Sequence, residues 1–266
     1  MKSGYVLSLI LLVFVITAPA RAQDSQNATN EFPGIEVDAQ AAGELVKAAH
    51  EYWRGQSSTG VMEMTIHRPD WERVMTIQVW TKGNEDSLFR VLEPARDKDN
   101  ATLKRGREMW SYNPRVNRVV KIPPSMMSQA WMGSDFSNDD LSKTDSILED
   151  YEHRVIGVEE HEGLAVYEIE SIPLEDAPVV WGMIRLKVRE DFIMLEELFF
   201  DEDMELVKTM TGQDIQMLGG RLMPREWRMQ KADVEDEYTL LFYQDLEFDV
   251  DVPDRIFSLD SLRNPR

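Results

Sequence analysis

The stretch VMEMTIHRPDWERVMTIQVW, residues 61–80, alternates apolar and polar side chains in both of its halves. The apolar positions of this alternation are Met62, Met64, Ile66, Met75, Ile77 and Val79. A repeat of two residues is that of a β-strand, whose successive side chains point to opposite faces of a sheet. The stretch therefore predicts two β-strands, and its pattern recurs through the rest of the chain.

Similar runs follow, separated by short turn signals. They span residues 87–93, 107–112, 115–122, 151–160, 164–172, 179–190, 193–200, 205–217, 221–231 and 237–247. Turns such as Glu162-Gly163 and Gly219-Gly220 are typical of tight hairpins. Because the connections are mostly too short for crossover helices, neighbouring strands must pair antiparallel. About a dozen strands predict one mainly β domain over residues 38–266, a strongly curved meander that forms an incomplete β-barrel.

Two segments break this pattern. The run DAQAAGELVKAAHEYWRG, residues 38–55, has apolar residues at three- and four-residue steps and predicts a helix that Asp38 caps and Gly55 ends. Residues 123–150 form an insertion that begins with 12 uncharged residues, three of them methionine. Ser137 and Asp140 have the spacing of a capping box, so a short helix follows. We expect this inserted loop and helix to act as a lid.

The N-terminus has the pattern of a secretory signal peptide over residues 1–22. Lys2 supplies a positive charge, an apolar run follows, and Ala20-Arg21-Ala22 is a small-x-small cleavage site. We expect cleavage after Ala22 and a polar, flexible leader over residues 23–37. The chain has no cysteine, which excludes disulfides and thiolate metal sites. An exported chain of this kind is predicted to be periplasmic.

Charge is distributed unevenly. The chain carries a formal net charge of −20, and residues 135–266 hold 34 acidic and 13 basic residues, whereas residues 60–122 hold 9 and 12. Such a negative field makes nucleic acid and a bare anionic membrane poor partners. Solubility is the simplest explanation of the charge, and docking to a basic receptor is the alternative.

The sequence contains little that predicts catalysis. It has no cysteine and no G-x-S-x-G motif, and its four histidines are scattered at His50, His67, His153 and His161. No glycine-rich phosphate loop precedes a helix. The acidic residues near 135–140 lack the alternating ligands and glycine of a calcium loop, so we explain them as helix-start carboxylates. We therefore predict no enzyme activity, no cofactor and no metal.

Methionine is abundant, with 15 residues, and its flexible side chain adapts to ligands without a fixed shape. A charge-free loop has no obvious core to fill, so we assign its apolar residues to lipid binding or to a gate. This predicted gate consists of Met126, Met127, Trp131, Met132 and Phe136. Met62, Met64 and Met75 are either ordinary core residues or a cavity wall.

Several long motifs, in order, resemble one bacterial family. They include EYWRGQSSTGVMEMTI, MWSYNPRVNRVVKIPPSMM and GGRLMPREWRMQ, and the resemblance runs from about Ala39 to the C-terminus. The family is that of the outer-membrane lipoprotein-sorting proteins, in the LolA/LolB-like superfamily, of which this chain is similar to a divergent branch. The resemblance implies an incomplete antiparallel barrel with a helical lid over an apolar cavity that holds acyl chains.

The resemblance also implies partners. A carrier of lipoprotein acyl chains or of another lipid would load from an inner-membrane transporter and deliver to an outer-membrane acceptor. The alternative is a docking module that binds an inner-membrane exporter through residues 123–136. A third hypothesis, a glycan or ester hydrolase, would need a catalytic pair of carboxylates.

Overall fold

The computed structural model describes residues 39–264, so the predicted signal peptide, the leader and the Asp38 cap lie outside the described residues. The strands are β1 (Ser57–Arg68), β2 (Trp71–Lys82), β3 (Asp86–Glu93), β4 (Ala101–Arg105), β5 (Glu108–Asn113), β6 (Arg118–Lys121), β7 (Tyr151–His161), β8 (Leu164–Pro173), β9 (Met183–Arg189), β10 (Met194–Phe200), β11 (Leu206–Leu218), β12 (Arg221–Lys231) and β13 (Tyr238–Phe248). The helices are α1 (Ala39–Arg54), α2 (Asn138–Ser142), α3 (Ser146–Glu149) and α4 (Leu259–Arg263), with 3-10 turns at Pro124–Met126, Trp131–Gly133 and Asp254–Phe257.

All 13 strands belong to one antiparallel sheet in the order β6-β5-β4-β3-β2-β1-β13-β12-β11-β10-β9-β8-β7. Strands that are adjacent in the sheet are also consecutive in the chain, with one exception: β1 pairs with β13 as well as with β2. The consecutive strands β6 and β7 do not pair with each other. The two edge strands, β6 and β7, are therefore consecutive in sequence, and the sheet is not closed into a barrel. This confirms the predicted mainly β, antiparallel incomplete barrel. The inserted segment, residues 123–150, connects the two open edges.

The hairpin signals of the sequence form tight turns. Glu162 and Gly163 both have positive φ, 56° and 81°, between the paired residues His161 and Leu164. Gly219 and Gly220 connect β11 to β12 with φ values of 54° and 81°. Two consecutive positive φ angles are those of a type I′ turn, whose twist matches that of the flanking strands.

Helix α1 forms as its apolar spacing predicts. Ala42, Val46 and Ala49 are fully buried and lie on one stripe, which packs against β7 and β9. Gly55 ends the helix in the left-handed region, at φ 67°. Within residues 39–264, no helix has both the length and the apolar character needed to cross a lipid bilayer.

The main core lies on the inner face of the sheet. Met62, Met64 and Ile66 of β1 are buried there, and Met64 pairs with Met75 of β2 across the ladder. Residues from α1, from the inserted segment and from β7–β10 and β12 complete the same cluster. The alternation within residues 61–80 thus places its methionines on the inner face.

A second, smaller core covers the other face of β3–β5. Leu88, Leu103 and Tyr112 pack there against Val252, Phe257 and Leu262 of the C-terminal segment. Because both faces of β4 are covered, four of its five residues are buried and the strand shows no alternation. For this reason β4 carries no alternating signal in the sequence and was not predicted.

Two other strand boundaries were also wrong. The predicted strand 179–190 is shorter, since β9 begins at Met183, and the predicted strand 115–122 is reduced to β6. Residues 179–182 form a loop, and Val180 and Trp181 of this loop contribute to the cavity described below.

Candidate functional site

An internal cavity of about 250 Å³ lies between the inner face of the sheet, α1 and the inserted segment. Its walls are mainly aromatic and aliphatic. The large apolar residues that line it are Trp53, Met62, Phe89, Trp131, Phe136, Leu141, Ile147, Trp181, Leu186, Met194, Phe199, Met210, Trp227 and Leu241. Apolar walls with a few polar side chains are typical of ligand-binding pockets.

Trp131 fixes the inserted segment inside the sheet. Its side chain is only 3% exposed, and its ring meets that of Phe89 edge to face at a centroid distance of 5.2 Å. The indole Nε1–H donates to Thr102 Oγ1 at 3.0 Å, so the polar atom of this buried ring is satisfied. The backbone N–H of Trp131 donates to the carbonyl of Phe136 at 2.7 Å. This bond folds residues 131–136 into a compact loop.

A buried ion pair anchors the same loop to the sheet. The Arg68 guanidinium donates to both carboxylate oxygens of Asp135, at 3.0 and 3.1 Å. Thr239 of β13 donates its hydroxyl proton to Asp135 at 2.7 Å. Such a bidentate pair is directional, so it sets the position of the loop over β1 and β13.

Helix α2 begins with the predicted capping box. Asp140 N–H donates to Ser137 Oγ at 3.1 Å, and Ser137 N–H donates to the Asp140 carboxylate at 2.7 Å. Asp140 also pairs with Lys208 of β11, and Asp139 pairs with Lys143 at 3.1 Å. These acidic residues therefore cap a helix and form ion pairs. Among the described residues, no group of three or more potential ligands could hold a metal ion.

Lys208 is a buried lysine that packs behind the aromatic wall of the cavity. It is 5% exposed, and its ammonium lies 4.8 Å from the ring centroid of Trp181 and 5.3 Å from that of Phe199. Both rings contribute cation–π attraction, and Asp140 supplies the opposite charge. The inserted segment is thus joined electrostatically to the inner wall of the cavity.

Glu197 places an ionisable group on the strand wall of the cavity. It shares the inner face of β10 with Phe199 and lies opposite Met210, and all three side chains line the cavity. Burial, followed by repulsion from Asp140, raises the pKa of Glu197 to about 7, and Lys208 opposes this effect. Near neutral pH the carboxyl group is therefore partly protonated.

A polar region lies at the end of α1. Arg54 is 6% exposed and donates to the Gly83 carbonyl at 2.5 Å and to Ser87 Oγ at 3.1 Å. His50, one turn earlier, donates from Nε2 to the carbonyl of Thr144 in the inserted segment at 3.2 Å. Burial, and then Arg54, lowers the pKa of His50 to about 4, so this histidine is neutral at neutral pH.

The predicted gate residues are divided between two places. Trp131 and Phe136 line the internal cavity. Met126 and Met132 line a second cleft, of about 670 Å³, which Trp131 also borders. Met127 is half-buried and lines neither. The structure thus brings Trp131 and Phe136 together on the inside and leaves Met126, 42% exposed, on the outside.

The three methionines predicted as core or wall are all buried. Met62 lines the internal cavity, Met75 borders the second cleft, and Met64 lies within the core. The sequence did not identify the polar cavity residues Glu197, Arg54 and Tyr243, nor Lys208 behind them. For Glu197 a signal existed, because the acidic residue is in phase with apolar positions of its strand.

Comparisons with known proteins agree with this architecture. A family model described as "Uncharacterized protein" matches residues 83–264, more than half of the chain. No protein sequence of curated function matches the chain. A LolA superfamily protein from Nitrosomonas europaea is 26% identical, with a TM-score of 0.68 over 82% of this chain and 98% of that one.

Two further crystal structures have the same fold. A DUF1329 family protein from Desulfovibrio piger is 23% identical, with a TM-score of 0.75 over 84% of this chain and 98% of its own. An outer membrane lipoprotein-sorting protein domain from Vibrio parahaemolyticus is 22% identical, with a TM-score of 0.73 over 85% of this chain and 100% of its own. At these identities the likeness concerns the fold alone.

Proposed function

We propose that the chain, which belongs to the family whose model matches residues 83–264 and has the fold of a LolA superfamily protein, carries acyl chains in its internal cavity. The observation that supports this proposal is the apolar cavity between the open sheet and the inserted segment. The cargo would be the acyl chains of a lipoprotein or of another lipid. The protein would act as a carrier or chaperone, without catalysis and without a cofactor.

The energetics of acyl chains explain why a carrier needs such a cavity. Burying hydrocarbon contributes ~0.8 kcal/mol per CH₂, so a 16-carbon chain contributes on the order of 12 kcal/mol. An acyl chain therefore does not cross an aqueous space unassisted. Release from the cavity requires either an acceptor of comparable affinity or an opening of the lid.

We propose the inserted segment as that lid. It connects the two sheet edges and contributes one wall of the cavity. In this proposal Trp131 and Phe136 form the inner side of the gate, and Met126, Met127 and Met132 form its outer part. Met62, Met64 and Met75 support the wall. Opening would break the Asp140–Lys208 pair, which joins the segment to β11.

The proposed location is the periplasm, after cleavage of the predicted signal peptide at Ala22. An inner-membrane transporter would load the carrier, and an outer-membrane acceptor would remove the cargo. The sequence has no phosphate-binding loop. The energy for loading would therefore come from the transporter.

Matched substitutions on one strand test the carrier function. Met210→Glu places a carboxylate in the cavity wall, whereas Met217→Glu places the same group at a position that is 64% exposed on the same strand. Uptake of a fluorescent fatty acid should fall at least about tenfold in the first variant and stay unchanged in the second, since burying a charge in an apolar site is costly. Equal uptake by the two variants would argue against the cavity as the binding site.

An exposed apolar strip supports a second candidate function, docking to an inner-membrane exporter. Val116, Val120 and Met126 are 67%, 43% and 42% exposed along and beyond the β6 edge. In a docking module, Val116→Glu or Val120→Glu would break a complex with the exporter, and no lipid would copurify. In a carrier, both variants would retain their cargo.

A further inference from the structure

We propose that the cavity has a polar pole, formed by His50, Arg54, Thr144 and Tyr243, in which the last three donate hydrogen bonds to the carbonyl or carboxylate oxygen of an acyl ligand. The inference rests on the proposed function, because it assigns the position of the ligand's polar end within the same cavity. All four side chains line the cavity, and they come from α1, the inserted segment and β13. The site is therefore assembled from three separate parts of the chain.

The four residues form one connected group. His50 and Arg54 lie one turn apart on α1, and the His50 ring contacts the backbone of Thr144 at 3.2 Å. Arg54 and Tyr243 are close enough to influence each other's pKa. Burial raises the pKa of Tyr243 to about 12, so its hydroxyl keeps its proton and can donate it.

Each member of the group has unused hydrogen-bonding capacity. Within residues 39–264, the buried His50 Nδ1 and Thr144 Oγ1 have no hydrogen-bond partner. Arg54 uses Nε and Nη2 on Gly83, Asp86 and Ser87, and no described residue accepts from its Nη1. Tyr243 lines the same cavity, and its hydroxyl is in none of the hydrogen bonds among the described residues. Buried polar atoms normally have partners, so the unpaired His50 Nδ1 and Thr144 Oγ1, beside the free Arg54 and Tyr243 donors, point to a ligand at this end of the cavity.

The chemistry of the free groups specifies the ligand. Arg54 Nη1–H and the Tyr243 hydroxyl are donors, so the ligand must present an acceptor oxygen. His50 donates from Nε2, which leaves Nδ1 as an acceptor and adds no positive charge. An ester carbonyl or a free carboxylate accepts from the Arg54 and Tyr243 donors, whereas a quaternary ammonium group cannot. His50 Nδ1 makes no hydrogen bond to such an oxygen.

The local charge also favours an oxygen acceptor. Burial lowers the pKa of Arg54 to about 10, which still leaves it cationic at neutral pH, and Lys104 adds a second enclosed cation. Asp145 lies 3.7 Å from Lys104 and balances one of the two charges. Asp86 is half-buried and also lies near Arg105, at 4.0 Å. The pole is therefore more positive than the rest of this acidic protein.

A head-group series tests the pole in the unmodified mature protein. The ligands are dodecanoate, methyl dodecanoate and dodecyltrimethylammonium, which share one chain length, and each displaces the apolar dye N-phenyl-1-naphthylamine from the cavity. Dodecanoate should displace the dye at a concentration about tenfold lower, or more, than dodecyltrimethylammonium, as expected for a hydrogen bond to a charged donor. The net charge of −20 opposes this preference, so non-specific attraction cannot produce it.

Substitutions test whether the preference for dodecanoate over dodecyltrimethylammonium depends on the pole. Arg54→Met should reduce the ratio of the two displacing concentrations, dodecyltrimethylammonium over dodecanoate, to below about threefold. Tyr243→Phe keeps the ring and all Arg54 contacts, so it should reduce this ratio in part. Lys47→Met removes the same charge from an exposed position of α1 and should leave the ratio unchanged. If methyl dodecanoate matches dodecanoate, an ester carbonyl suffices. If dodecanoate alone is preferred, the ligand is a free acid.

The outcomes separate this inference from the proposed function. Dye displacement by all three ligands at equal concentrations would overturn the polar pole while leaving the cavity as a binding site. A preference that survives in both Arg54→Met and Tyr243→Phe would also overturn it. A protein that binds neither the dye nor any acyl ligand would contradict the carrier function itself.

Discussion

Replacing Trp131 with alanine should destabilise the protein by about 3–5 kcal/mol, the range observed when a large buried aromatic is truncated. The indole is 3% exposed, packs against Phe89 and donates a hydrogen bond to Thr102. The substitution removes the ring contacts and leaves Thr102 without this partner. Trp131→Phe keeps a ring but loses the hydrogen bond, so it should destabilise by about 1–2 kcal/mol.

Urea unfolding, followed by circular dichroism at 25 °C, measures both variants against Met126→Ala. Met126 lies in the same inserted segment but is 42% exposed, so its truncation should change the free energy of unfolding by less than about 0.5 kcal/mol. If Trp131→Ala were as mild as Met126→Ala, the segment would not be packed into the sheet. The account of Trp131 as the internal anchor of the lid would then be wrong.

Three further predictions concern charges and caps. Because the pKa of Glu197 rises from 4.5 to about 7 on folding, the fold should lose stability as pH increases between these values. Glu197→Gln should remove this loss, worth up to about 3 kcal/mol, in unfolding titrations at pH 4.5 and pH 8. Asp135→Ala should cost up to about 3 kcal/mol by removing the bidentate partner of Arg68, which keeps Glu237 at 3.4 Å, and Arg68→Met in the same chain should recover part of it in thermal unfolding. Ser137→Ala should cost about 1 kcal/mol by the same measurement, and no change would contradict the capping role.

Alternation in the sequence was enough to predict most of the sheet. Residues 61–80 form β1 and β2, and their methionines lie on the inner face as a period of two requires. The pattern failed at β4, where Ala101, Thr102, Leu103 and Lys104 are all buried. A strand covered on both faces carries no alternating signal, and the C-terminal segment that covers it lies about 150 residues later in the chain.

The inserted segment was predicted only in part. Ser137 and Asp140 lie within four residues of each other, so their capping box could be read from local spacing. The charge-free run gave no indication that Trp131 would turn inward while Met126 faces solvent, because loop residues have no repeat that assigns them to a face. The contact with Thr102 that determines this orientation is non-local.

The polar groups of the cavity could not be predicted, because each depends on a distant partner. Asp140 and Lys208 are 68 residues apart, and His50 and Thr144 are 94 residues apart. Tyr243 lies near Arg54 at the end of α1 only because β13 pairs with β1. Acidic residues are abundant in this sequence, so the only local sign that separates Glu197 from a solvated carboxylate is its phase with Leu195 and Phe199.

The central claim, that the cavity carries acyl chains, is tested most directly by mass spectrometry of the mature protein purified from periplasm without detergent. Spectra of the intact protein and of a solvent extract would identify what copurifies. We expect a lipid or an acylated peptide in stoichiometric amount, and its loss in Met210→Glu but not in Met217→Glu. An empty protein that also fails to take up a fluorescent fatty acid would contradict the carrier function and favour the docking module.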